Sequence, residues 1–123
     1  MRDYKKIRAF QHADQFVMAV YQSTRSFPRE ELFGLTSQIR RSAVSIAANI
    51  AEGASRQHQK DYLHFLYIAR GSAAEAEYLL SLASRLSYIE SKQYMELDFM
   101  VKEASKILYG LINSVKKEAD KER

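Results

Sequence analysis

At 123 residues, with 46% hydrophobic and 28% charged residues, the chain fits one domain with an ordinary core, and one proline with four glycines starves a turn-rich β fold. Cysteine is absent, which excludes a disulfide framework, a thiolate metal site and a cysteine nucleophile. The formal charge of +4 is unevenly placed: residues 1–41 carry eight Lys/Arg and four Asp/Glu, residues 42–123 eleven of each.

In chain order, the spacing of Phe10, Ala13, Val17, Val20 and Thr24 predicts a helix over about 7–25, its stripe widened by Phe16 and Tyr21. Ser26-Phe27-Pro28 ends it, because the residue before proline is pushed out of the α region. Pro28 with Glu30 and Glu31 can start a short extra turn, and Phe33 is expected to drop back as a plug. A second helix over 35–53 follows, with Leu35, Ile39, Ala43, Ile46 and Ile50 on one face. From Ala43 to Ala51 only Ser45 and Asn49 interrupt its apolar residues, so it is expected to be covered twice, once by another copy of the chain. Gly53 reads as its C-terminal stop.

The third helix, about 58–86, carries Tyr62, Leu66, Ala69, Ala73, Ala76, Leu80 and Ala83 as an unbroken heptad seam, and a close helix contact is expected at Gly71. Tyr88-Ile89-Glu90 makes a turn, with Ser91 as an N-cap. The fourth helix, about 92–117, has Leu97, Val101, Ala104, Leu108, Leu111 and Val115 on its seam, and the charged tail after it is expected to fray. Four helices with short connections specify an all-α fold: an antiparallel up-and-down four-helix bundle, one domain over 1–123. No run reaches the length of a membrane span, and the basic N-terminus is followed by no uninterrupted apolar core, so the expectation is a cytoplasmic protein without a membrane partner.

Phe33-Gly-Leu-Thr-Ser-Gln-Ile-Arg-Arg-Ser-Ala-Val-Ser-Ile-Ala-Ala-Asn-Ile-Ala-Glu-Gly53, followed by Phe65-Leu-Tyr-Ile-Ala-Arg-Gly-Ser-Ala-Ala-Glu75, closely resembles the bacterial four-helix-bundle proteins encoded by intervening sequences within 23S ribosomal RNA genes. That family is similar in turn to the accessory variability determinant of diversity-generating retroelements. The resemblance covers residues 4 to about 115 and implies a homopentamer with a basic, nucleic-acid-binding role and no accepted catalytic residues. Where the family pattern often has proline after Ser45-Ile46, this chain has Ala47, which should leave the helix straighter.

The strongest functional candidates are basic: Arg40, Arg41, Arg56, Lys60 and Arg70, with Arg2, Lys5, Lys6 and Arg8 beside them. If the second and third helices turn near residues 55 and 56, Arg70 lies level with Arg40 and Arg41, and three guanidiniums suit RNA or DNA phosphates. The same geometry lets Glu75 and Glu77 pair with these arginines within or between subunits. Asn49 is read as fixing packing register or subunit orientation, and Glu52 either binds the hairpin tip or faces water. Tyr62, Tyr67, Tyr78 and Phe65 can stack on bases, but at helical spacing they also suit core or interface positions.

Asp61 and His64 have the i, i+3 spacing of di-iron bundles, yet no second pair accompanies them, so no metal and no cofactor is expected. The histidines do not fit the Arg-x4-6-His spacing of helical HEPN ribonucleases, and neither a phosphate loop nor a serine elbow is present. The sequence therefore reads as a non-enzymatic homo-oligomer without a small-molecule substrate, binding structured RNA or DNA through phosphates. The alternative is a protein-interaction scaffold whose arginines form subunit-interface salt bridges.

Overall fold

In a computed structural model, which describes residues 2–122, four helices follow the order of the hydrophobic repeats. They are α1 (Arg8–Ser23), α2 (Leu35–Ala54), α3 (Gln59–Arg85) and α4 (Ser91–Lys121). Short 3₁₀ turns at Tyr4–Lys6, Thr24–Ser26 and Arg29–Glu31 fill the N-terminus and the α1–α2 connection. Side-chain hydrogen bonds show how the ends alternate. Arg2 reaches the carbonyls of Ala54 and Arg56 and the Gln59 side chain, and Glu122 accepts from the Gln59 amide, so the starts of α1 and α3 meet the ends of α2 and α4. At the other end Gln93 donates to Ser23 and Tyr88 to Glu31. The bundle is therefore up-and-down, with α1 and α3 each packed on both α2 and α4.

The core follows the predicted seams with two shifts. All seven α3 seam residues and all five on the α2 face are buried. On α1 the deepest stripe is Ala9, Ala13, Phe16 and Val20, which moves Phe16 to the centre and leaves Phe10 and Val17 half-buried. On α4 Ile112 takes the core place expected for Leu111, because a straight helix drifts from a 3.5-residue repeat over several turns. The α4 tail does not fray over the described residues: Ala119 is buried, and Glu122 accepts the first amide of α3 at 3.0 Å.

Helix α2 is less bare than its composition implied. Ala43, Ile46, Ala47 and Ile50 are buried within one subunit, and its outward face carries Gln38, Arg41 and Glu52 beside half-exposed Val44. Two flanking helices and the core between them cover what a single contact stripe would not. Gly53 does not stop α2, which continues through Ala54. A Cβ at Gly53 would lie 2.9 Å from Tyr62 Cδ1, 3.0 Å from Phe65 Cβ and 3.2 Å from the Tyr62 carbonyl oxygen, so its smallness lets α3 approach. Gly71 is the reverse case, exposed with nothing within 4 Å of such a Cβ, so the expected close contact is not made inside the subunit.

The α1–α2 connection also departs from expectation. Phe27, not Phe33, turns inward, 5.6 Å from the Tyr88 ring, while Phe33 is 94% exposed. Glu31 supplies the helix cap that Gly34 cannot: its carboxylate accepts from the Leu35 amide at 3.1 Å and from the Tyr88 hydroxyl at 2.8 Å. The Leu35 bond and then the Tyr88 bond hold the Glu31 carboxyl below its ordinary range, against a smaller opposing effect of burial. A depressed carboxyl stabilises the fold above its unfolded pKa, and that contribution is lost as pH falls through the lower folded value. Urea unfolding compared at neutral and acid pH should accordingly show a smaller acid loss for Glu31→Gln than for the parent. An equal loss in both would remove Glu31 from the account.

Helix α3 ends in a Schellman turn, with Tyr88 N–H donating to Ala83 O at 2.9 Å and Ser87 N–H to Ser84 O at 3.0 Å. The turn needs a left-handed residue, and Ser87 sits there at φ 63. Ser87→Gly should therefore raise stability by about 1 kcal/mol, read as a higher urea midpoint at unchanged m-value. At the start of α4, Ser91 is the first helical residue rather than its N-cap, and its side chain makes no capping bond.

Candidate functional site

Folding sorts the charge by end. When each helix is divided at its middle, the end formed by the N-terminus, the α2–α3 hairpin tip and the α4 terminus holds, among the described residues, eleven Lys/Arg and seven Asp/Glu, counting the central Lys106 with it. The opposite end holds seven and eight. The sequence excess in the first third thus becomes a basic end of the bundle, because Arg2, Lys5, Lys6 and Arg8 come to lie at the end that carries Arg56 and Lys60.

Arg2 builds that end. Its guanidinium donates to Arg56 O at 2.7 Å, to Ala54 O at 3.3 Å and to Gln59 Oε1 at 2.9 Å, and it lies 4.2 Å over the Tyr62 ring. A cation at the C-terminus of α2 satisfies carbonyls the helix leaves open and favours the negative end of its dipole. Burial raises the Tyr62 hydroxyl pKa, and the Arg2 charge partly offsets that rise. Asp3 accepts from the Lys5 amide and Gln11 donates to Lys5 O, so the short turn bearing Lys5 and Lys6 is tied down while both lysines face solvent. Arg56 pairs with Glu52 at 2.7 Å and covers the Phe65 ring at 4.6 Å, and Lys60 is exposed beside it. An open groove of about 590 Å³ runs between Arg2, Ser55, Arg56 and Gln57.

The other three arginines do not join this end as a group. Arg40 is half-buried against α1, donating from Nε to Thr24 Oγ1 at 2.9 Å and lying 4.8 Å over Tyr21. Arg41 is exposed and lines the α2–α3 groove with Gln38, Ser42, Ser45 and Glu75. Arg70 lies 4.9 Å over Tyr67, about 200° around α3 from Ser72, which faces α2. The predicted common height fails as well. Ser45 Oγ meets Ser72 Oγ at 2.7 Å, which sets residue 47 level with Arg70 and leaves Arg40 and Arg41 about 9 Å further along. The hairpin closes later than residues 55 and 56. Among the described residues no ion pair joins these arginines to Glu75 or Glu77 within the subunit.

The register itself is held by a polar chain. Asn49 Nδ2 donates to Ser45 O at 2.8 Å and Ser45 Oγ at 3.0 Å, and Ser45 then meets Ser72 across the helix pair. A one-turn slip of α3 would break the Ser–Ser contact and move Tyr62 off Gly53. Sequence reasoning missed the Arg2 clamp, whose partners lie more than fifty residues away, and the Glu31 cap, whose carboxylate reaches past Gly34 to the Leu35 amide and is braced by Tyr88, fifty-seven residues on.

Fold and charge together define a helical bundle with one basic end, and no helix among the described residues is long and apolar enough to cross a membrane. The chain belongs to the family of 23S rRNA-intervening sequence proteins, whose pattern matches residues 5–110. It is also similar to a solved protein of unknown function from the S23 ribosomal protein family of Bacteroides thetaiotaomicron VPI-5482. The two are 31% identical with a TM-score of 0.79, over 85% of this chain and 95% of that one. None of the curated proteins matches the chain.

Proposed function

We propose that the protein is a non-enzymatic, homo-oligomeric bundle that binds structured RNA or DNA by its phosphates at the basic end. The observation that carries this reading is that Lys5, Lys6 and Lys60, all exposed, lie at the same end of the bundle as the Arg2–Arg56 groove. Arg56 and Lys60 stay in the proposed interface, and Arg70 flanks it. Arg40 and Arg41 leave it, the first because it is half-buried against Tyr21 with its Nε donating to Thr24, the second because it lies toward the other end.

A net excess of four charges on one end is a modest field for a single subunit, and repetition around an oligomer multiplies it. The exposed apolar side chains Phe33, Met95 and Phe99 favour such assembly. Titration of a fluorescein-labelled RNA stem-loop at several salt concentrations tests the reading. Binding should weaken steeply with salt, with a logarithmic slope of several units set by the number of phosphate contacts. Salt-independent binding, or none at low salt, contradicts it. A scaffold would instead need Arg41 in subunit salt bridges, so Arg41→Glu should leave the assembly intact here and dissolve it there.

A further inference from the structure

Two apolar features at the end away from the basic groove have no partner inside the subunit. The first is a knob. Phe33 is 94% exposed and Leu32 49% exposed on the turn before α2, so a phenylalanine stands in water at the tip of a segment held in place by the Glu31 cap. The second is a groove of about 650 Å³ on the outer face of α4, lined by Lys92, Met95, Glu96, Phe99 and Met100. Met95 and Phe99, one turn apart, are 68% and 66% exposed.

We propose that the Leu32–Phe33 knob of one copy seats in the Met95–Phe99 groove of a second copy. This rests on the homo-oligomer reading above and names its contact. A chain cannot fill its own groove, because α2 and α4 are diagonal in the bundle, each packed on α1 and α3. The knob carries Arg29 and Glu30 beside it, and the rim of the groove carries Lys92 and Glu96, so each charge on one side finds its opposite on the other. An aromatic side chain entering an apolar groove with such a polar rim is the arrangement that concentrates binding energy.

The contact is heterologous: knob and groove are different surfaces, so each copy offers one of each and repetition builds a ring if the rotation closes. Both features lie at the same end, the knob just before α2 and the groove within the first turns of α4. Copies joined this way stand side by side, with their basic ends facing one direction.

The test is complementation between two single variants, Phe33→Asp and Phe99→Asp, each checked for unchanged helicity by circular dichroism. Neither side chain is packed in its own core, so both variants should fold. By light scattering the parent is expected to be an oligomer and each variant alone a monomer. Their mixture should form a dimer, because the intact knob of one meets the intact groove of the other. Variants that stay oligomeric, or monomers that fail to pair on mixing, overturn the contact while leaving the oligomer reading standing. A monomeric parent sinks both.

The cysteine-free chain allows a second test that does not depend on those variants folding. The double variant Phe33→Cys, Phe99→Cys should form a ladder of disulfide-linked multimers on oxidation. Each single variant should yield no more than a dimer. No ladder would contradict the proposed contact.

Discussion

Gly53→Ala is expected to lower stability by about 2 kcal/mol, a drop in Tm of about 8 °C. The added methyl would stand 3.0 Å from the Phe65 Cβ and 3.2 Å from the Tyr62 carbonyl oxygen, and neither atom can swing aside by a rotamer change. The helices would have to part along the contact that also carries the Ser45–Ser72 hydrogen bond. Alanine gains about 1 kcal/mol over glycine in a helix, which offsets only part of this strain. Gly71→Ala supplies the control. With nothing near its Cβ position it should raise stability by up to about 1 kcal/mol, so two identical substitutions in one helix pair move Tm in opposite directions. Thermal unfolding by circular dichroism reads both. A stabilised Gly53→Ala would mean that α3 does not approach α2 there, and a destabilised Gly71→Ala would place a neighbouring subunit on the outer face of α3.

The triple variant Lys5→Glu, Lys6→Glu, Lys60→Glu should weaken binding to a structured RNA on the order of 100-fold at 0.1 M salt and lower the salt slope by about three. These three lysines were chosen because they are exposed and make no ion pair among the described residues. Arg2 and Arg56 are poor probes, since Arg2 ties the N-terminus to the hairpin and Arg56 is paired with Glu52. The matched control, Arg25→Glu, Arg41→Glu, Arg85→Glu, reverses three charges at the opposite end and should leave affinity within a few-fold of the parent. Equal losses from both sets would mean that net charge alone attracts the nucleic acid. A loss confined to the control would move the interface to the other end.

The helices were legible because their burial is periodic: the α3 seam from Tyr62 to Ala83 and the α2 face from Leu35 to Ile50 are buried as the spacing predicted. Register was less so. A count from the hairpin turn misplaced Arg70, because the Ser45–Ser72 and Gly53–Tyr62 contacts, not the loop, decide how α2 and α3 slide. Asn49, expected to fix packing register or subunit orientation, bonds only to Ser45 four residues back in its own helix, and Ser45 makes the contact to α3. Phe27 takes the inward place expected for Phe33 for a related reason: hydrophobicity alone does not say which side of a turn faces Tyr88. The candidate arginines separated because a helix sends adjacent residues about 100° apart, so Arg40 meets α1 while Arg41 lies toward α3. The Arg2 clamp left no sequence signal beyond a basic N-terminus, since two of its three acceptors are backbone carbonyls and the third is a distant glutamine amide.

The most direct measurement is size-exclusion chromatography with light scattering on the purified protein, with absorbance at 260 and 280 nm recorded before and after a high-salt wash. Tryptophan is absent and eight tyrosines supply the protein absorbance, so a small amount of bound nucleic acid shifts the ratio visibly. An oligomer that carries nucleic acid at low salt and sheds it in the wash, remaining an oligomer, is the predicted result. A monomer with a pure protein spectrum at both salt concentrations contradicts the account.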